Sequence, residues 1–129
     1  MPDAEREMQV YLELADYSQQ KQQLLGRDKF LILAAAAACR AGWPSVAEQC
    51  RELVLENNRS HLVGRFVRFT DAMRDDEFEP FLKQLERFCG YERAEHLLAT
   101  LEIEPGGTEA EDAGERAAEI FARPHWSKR

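Results

Sequence analysis

Residues 30–55 read FLILAAAAACRAGWPSVAEQCRELVL, and this stretch decides the fold. Apolar residues fill almost the whole circumference from Phe30 to Cys39, the pattern of a helix covered on several sides. The alanine run Ala34 to Ala38 lets a neighbouring helix approach closely. Gly42 stands at the elbow between two helices, and Pro44 suits the first turn of the second. Ser45, three residues ahead of Glu48, matches a capping box. Val46, Ala47, Cys50, Leu53 and Val54 then share one side of a second helix that ends at Asn57-Asn58. Two alanine-lined helices lying side by side with an elbow at Gly42 are expected, and a contact of that kind belongs to a scaffold.

Glycine, proline and capping residues divide the remainder into segments too long and too regular for strands, so the fold class expected is all-α. A first helix spans Ala4 to Leu25 with Met8, Tyr11, Leu12 and Ala15 on one face, a solvated middle at residues 18–23, and Gly26 as its cap. The central helix runs from Asp28 to Ala41. A fourth helix capped by Ser60 presents Leu62, Phe66, Phe69 and Met73 at helical spacing. A fifth carries Phe78, Phe81, Leu82, Leu85 and Phe88, with Pro80 tolerable only in its first turn, and Gly90 ends it. A sixth covers Tyr91 to Leu101. Past Glu104 the composition shifts to Pro105-Gly106-Gly107, and Thr108 with Glu111 forms another capping-box pattern for a seventh helix to Ala122. That helix has a thin apolar face and a glycine, Gly114, worth about 1 kcal/mol of helix propensity against alanine. The domain reading is a helical body at 1–103, a linker at 104–107, a C-terminal helix at 108–122 and a tail at 123–129.

At 129 residues the chain is long enough for one domain that removes roughly two thirds of its extended-chain surface from water. With 44% apolar and 32% charged residues it has the composition of a globular protein. No apolar run nears the ~20 residues of a membrane helix, and no membrane association is expected. The acidic start, Met1-Pro2-Asp3-Ala4-Glu5, lacks the basic-then-apolar order of a secretory signal, and a cytoplasmic location is expected. A net charge of −7 disfavours phosphate neutralisation and with it nucleic-acid binding. Cys39, Cys50 and Cys89 are odd in number and widely spaced, which fits neither a disulfide framework nor a zinc site. Cys39 and Cys50 lie about level across the helical hairpin, so a bridge is geometrically conceivable, and reduced thiols are the expectation.

Taking Gly42 as the inter-helix glycine, residues 30–59 resemble one tetratricopeptide repeat. Ala34, Ala35 and Ala38 fall where the family's first helix carries leucine, glycine and tyrosine, and Ala47 falls on the small residue of the second helix. Val54 and Leu55 fall on the alanine and leucine near its end, and Arg59 stands at the terminal proline position. Residues 90–98 look like the start of a second repeat helix. The resemblance implies stacked antiparallel helix pairs in a short solenoid, with a helical bundle as the alternative, and recognition of a peptide or helix on the inner surface of the stack.

Residues 58–74 are locally basic, with Arg59, His61, Arg65, Arg68 and Arg74 against the single acid Asp71. Arg65 and Arg68, three apart on a helix, would share a face and grip a carboxylate by forked hydrogen bonds. Phe66 or Phe69 would form the apolar wall beside them. The competing reading is a solvated face neutralised by the protein's own acids, Asp75-Asp76-Glu77 being nearest. Residues 102–119 hold seven acids against Arg116 and could fold back onto the basic helix as an autoinhibitory occupant. His61, His96 and His125 have no nucleophile or metal spacing around them, Glu92 and Glu95 beside His96 read as charged surface, and no phosphate-binding glycine loop is present. Trp126 belongs to a loose tail or anchors into a neighbouring protein. No enzyme, cofactor or metal is expected. The function expected is a protein-protein interaction module of adaptor, chaperone-like or regulatory type with an acidic peptide or protein partner. The alternative is an assembly protein that forms a homodimer through an apolar helix face.

Overall fold

The Asp3 carboxylate accepts hydrogen bonds from the amides of Glu5 (3.0 Å) and Arg6 (3.4 Å), and so caps the first helix of an all-α chain. A computed structural model describes residues 3–103 and 113–126. Its elements are α1 (Ala4–Gln20), α2 (Leu24–Ala41), α3 (Pro44–Asn57), α4 (Phe69–Ala72), α5 (Phe78–Phe88), α6 (Tyr91–Thr100) and α7 (Ala113–Phe121). Short 3-10 turns occupy Leu62–Arg65 and Pro124–Trp126, and no strand occurs among the described residues.

The α2–α3 elbow forms as the sequence predicts. Gly42 sits at φ 85°, and its amide and that of Trp43 return to the carbonyls of Cys39 (3.3 Å) and Ala38 (2.8 Å), closing the end of α2. Every residue from Phe30 to Ala38 is buried, with α1, α3 and α5 packed around them. Ala34 and Ala47 are both fully buried, as expected of two helices whose small side chains let their backbones come close.

Several boundaries differ from the sequence expectation, each for a local reason. The first helix ends at Gln20, not Leu25, because Gln22 takes the left-handed position (φ 58°) and the Gln23 amide returns to the Ser18 carbonyl at 2.9 Å. Gly26 therefore caps nothing and lies in the first turn of α2, which begins at Leu24. Ser18, read as solvated, is buried. At the start of α3 the capping box is absent: Trp43 is the N-cap and makes no side-chain cap bond. Glu48 instead accepts from the Phe69 amide and pairs with Arg51 at 3.4 Å.

The expected fourth helix is the largest correction. The backbone makes a 3-10 turn at Leu62–Arg65, runs extended through Phe66 and Arg68, and recovers only four helical residues in α4. Side chains take the groups a helix would have used. Arg51 donates from Nε to the Val63 carbonyl (3.2 Å) and from Nη2 to the Phe66 carbonyl, and Glu48 takes the Phe69 amide. Nδ1 of His61 accepts from the Val63 amide at 3.1 Å. Ser60 caps no helix; its amide donates to Asn58 Oδ1 at 3.2 Å. Gly64 in mid-segment weakens the helical competitor. Helices α5 and α6 follow the predicted spans closely, with Pro80 in the first turn of α5 and Gly90 as the N-cap of α6.

Helix α7 docks on α1 and buries Ala113, Arg116, Ala117 and Ile120. The Thr108–Glu111 capping box and the 104–107 linker lie outside the described residues. Gly114 is where α7 meets Trp43: a Cβ there would stand within 3.0 Å of three carbons of the indole ring. The residue that costs helix propensity is thus the one that permits the contact. Gly114→Ala should lower stability by about 1 kcal/mol, the overpacking cost of about 1–3 kcal/mol outweighing a propensity gain of about 1. Thermal unfolding reads this as a fall of a few degrees in Tm, and the same substitution in a Trp43→Ala background should no longer be harmful.

Candidate protein-docking site

The segment between α3 and α5 carries the exposed cations Arg59, Arg65, Arg68 and Arg74. None of the salt bridges among the described residues engages them. Two of the nearby acids accept local backbone bonds: Asp71 from the Arg68 amide (3.2 Å) and Asp75 from the Glu77 amide (2.8 Å). Arg65 and Arg68 do not share a helix face, since Arg65 closes the 3-10 turn and the chain between them is extended. They project from an irregular loop that α3 pins in place through Glu48 and Arg51.

Aromatic rings form the platform beneath this loop. Phe78 lies edge-on to Phe66 and Phe69, with centroids 6.0 and 5.6 Å away, and contacts Phe81 at 5.6 Å. Phe81 in turn meets the edge of His61 at 5.5 Å. Burial lowers the pKa of His61, which keeps its ring neutral and able to accept from Val63. Phe69 is fully buried and so is core, not the groove wall expected of it; Phe66 is half-buried. The exposed apolar residue of the site is Val67, 80% accessible between the two arginines. Nothing in the sequence marked it, since Val67 reads there as lying alongside the apolar face of the expected fourth helix. An open hollow of about 470 Å³ adjoins the loop, lined by Glu52, Leu55, Glu56, Arg59 and Gly64.

A second constellation, not read from the sequence, lies at the C-terminal end of α1. Glu13 and Asp16 are buried carboxylates. Glu13 accepts from Arg116 (3.1 Å) and Arg123 (3.0 Å), and Asp16 accepts from Arg123 (2.6 Å) and the Trp126 indole (2.7 Å) and meets the His125 ring. Burial works against the charge of Arg123, yet its hydrogen bonds to Glu13 and Asp16 leave its pKa raised. Trp126 is therefore docked on its own chain, with its ring edge-on to Phe121 at 5.3 Å, and is not a loose tail. Of the proposed autoinhibitory arm, the described part α7 lies on α1, and Glu104, Glu109, Glu111 and Asp112 fall outside the described residues. The spacing of Glu13 and Asp16 was visible, but identical spacing marks solvated helix faces.

The other polar residues do structural work. Glu95, read as charged surface, ties α6 to α1 through Arg6 (3.0 Å) and also accepts from Tyr91 within α6, and the Arg6 hydrogen bond lowers its pKa. The three cysteines are free. Burial raises the pKa of Cys39 to about 11 and that of Cys50 further, so both stay protonated and poorly nucleophilic at neutral pH. Among the described residues no group of His, Cys, Asp and Glu is placed to hold a metal ion, and no helix is long and apolar enough to cross a membrane. No protein family, no curated protein and no solved structure matches the chain.

Proposed function

We propose that this chain is a protein-interaction domain, of adaptor, chaperone-like or regulatory type, that docks an acidic and partly apolar peptide segment on residues 59–74. One observation carries the reading: a net charge of −7 supplies acids in excess, yet the segment 59–74 carries four exposed arginines, Arg59, Arg65, Arg68 and Arg74, without described ion-pair partners, and the exposed Val67 among them in sequence. Such a segment concentrates positive potential that an acidic partner would relieve, and forked guanidinium hydrogen bonds suit carboxylates. The loop's attachment to α3 adds preorganisation, which limits the ordering cost on binding. The tetratricopeptide resemblance of 30–59 supports the same class, with α2 and α3 as its helix pair. The role needs no catalysis and no cofactor, and free thiols suit a reducing, cytoplasmic setting.

The test is a calorimetric or NMR titration with a blocked peptide alternating glutamate pairs with leucine, alongside its lysine counterpart. Saturable binding of the acidic peptide that weakens as salt rises is expected. Arg65→Glu with Arg68→Glu should weaken it at least about tenfold, because each charge-assisted hydrogen bond contributes about 1.5–3 kcal/mol. Both side chains are exposed, so the fold should be unaffected. Equal affinity in the variant would sink the site assignment.

The assembly reading keeps one specific support: Leu25 is 81% exposed, and Leu24 (37%) and Phe88 (44%) are also accessible. A concentration-dependent dimer in sedimentation, abolished by Leu25→Glu, would favour it over peptide docking.

A further inference from the structure

The polar contacts of the C-terminal segment do not stop at α1. Trp126 donates to Asp16 while its ring lies against the guanidinium of Arg27, 5.8 Å from the centroid. Gln19 joins the same two elements: its amide donates to the His125 carbonyl and its Oε1 accepts from Arg27, both at 2.8 Å. Arg27, itself buried, donates twice to Asp28 Oδ1 (3.0 and 2.7 Å) and once to the Leu53 carbonyl (3.0 Å). The other oxygen of Asp28 accepts from Asn57 at 2.8 Å. Asn57 is the last residue of α3, and the arginine-bearing loop begins at the next residue. An unbroken chain of hydrogen bonds and stacking thus leads from residues 125–126 to the hinge of that loop.

We propose that the segment 113–126 is a conformational clasp: docked on α1, it fixes the entry of the 58–68 loop through Gln19, Arg27, Asp28 and Asn57, and undocked it releases that loop. The energetics suit a movable part. The α1–α2–α3 body buries a long apolar helix, whereas the clasp has only a thin apolar face (Ala113, Ala117, Ile120) beside buried ion pairs whose desolvation offsets much of their attraction. Such a unit opens at lower free energy than the core it rests on. Coupling through it rests on discrete contacts that exist only in the docked state, which is the physical requirement for linking two sites.

The consequence for docking rests on the arginine-loop reading, but amide hydrogen exchange of the full chain reads the loop with no ligand present. A failed coupling and a failed docking site therefore show up separately. The amides of Asn58, His61, Val63 and Gly64 are hydrogen-bonded and serve as reporters. Trp126→Ala should accelerate exchange in 113–126 and, by about tenfold, at these four amides, while α5 is unchanged. Gln19→Met keeps the volume of the side chain and leaves Glu13 and Asp16 with their arginines, so it does not depend on α7 letting go. It should still accelerate the four reporters several-fold, and Asn57→Ala should have the same effect and add nothing to it. Reporter exchange unchanged in Gln19→Met, or changes in Gln19→Met and Asn57→Ala that simply add, would overturn the clasp.

Discussion

Glu13→Ala is expected to cost about 3–5 kcal/mol of unfolding free energy, enough to remove much of the stability of a domain this size. The loss does not come from the missing side chain itself. Arg116 is 3% exposed, and Glu13 is the carboxylate it donates to, at 3.1 Å; Glu119 lies further off at 3.7 Å. The Arg116 Nε and Nη1 atoms already lack hydrogen-bond partners, so without Glu13 the guanidinium becomes a buried charge with almost nothing to satisfy it. Replacing both partners by apolar residues of similar volume, Glu13→Leu with Arg116→Met, should recover most of the loss, because the desolvation penalty then disappears with the charges. Urea denaturation of the two variants measures this. A single variant within 1 kcal/mol of the natural chain would show that water reaches Arg116 and that the cluster is not a dry ion pair.

Phe78→Ala should cost a similar amount, about 3–5 kcal/mol, by a different mechanism. Phe78 is 1% exposed and packs against Phe66, Phe69 and Phe81 with centroids 5.6–6.0 Å away. Truncation loses the transfer energy of the ring, leaves a cavity, and removes edge-on ring contacts worth about 0.5–1.5 kcal/mol per pair. Phe81→Ala, at a half-buried position, should cost clearly less. The expected signature is a lower midpoint in urea with an unchanged slope, since the folded chain still buries nearly the same surface. The platform under the arginine loop goes with it, so binding of the acidic peptide should weaken in Phe78→Ala even under conditions where the variant is fully folded.

The two predictions fall on opposite sides of what the residues disclose. Phe78 was legible as core from its place in the Phe78, Phe81, Leu82, Leu85 and Phe88 pattern. Glu13 was not, because a carboxylate on an amphipathic helix is ordinarily solvated and nothing local distinguishes one that meets Arg116 and Arg123, more than a hundred positions away. Composition marks the arginines of the candidate site, but a spacing of three aligns side chains only on a helix, and here the chain is extended. For the same reason Phe69 enters the core, where a groove wall was expected, and Val67 comes to the surface.

The sequence by itself determined the all-helical class, the elbow at Gly42, the packing of α2 against α3, and the spans of α5 and α6, because each follows from backbone preference and apolar period within a few turns of chain. Only the tertiary structure decided that residues 61–68 leave the helix, that Gly114 serves Trp43, and that the C-terminal segment closes on Glu13 and Asp16. In each of these a side chain distant in sequence supplies the hydrogen bond, the charge or the space, and local preference carries no information about a partner it has not yet met.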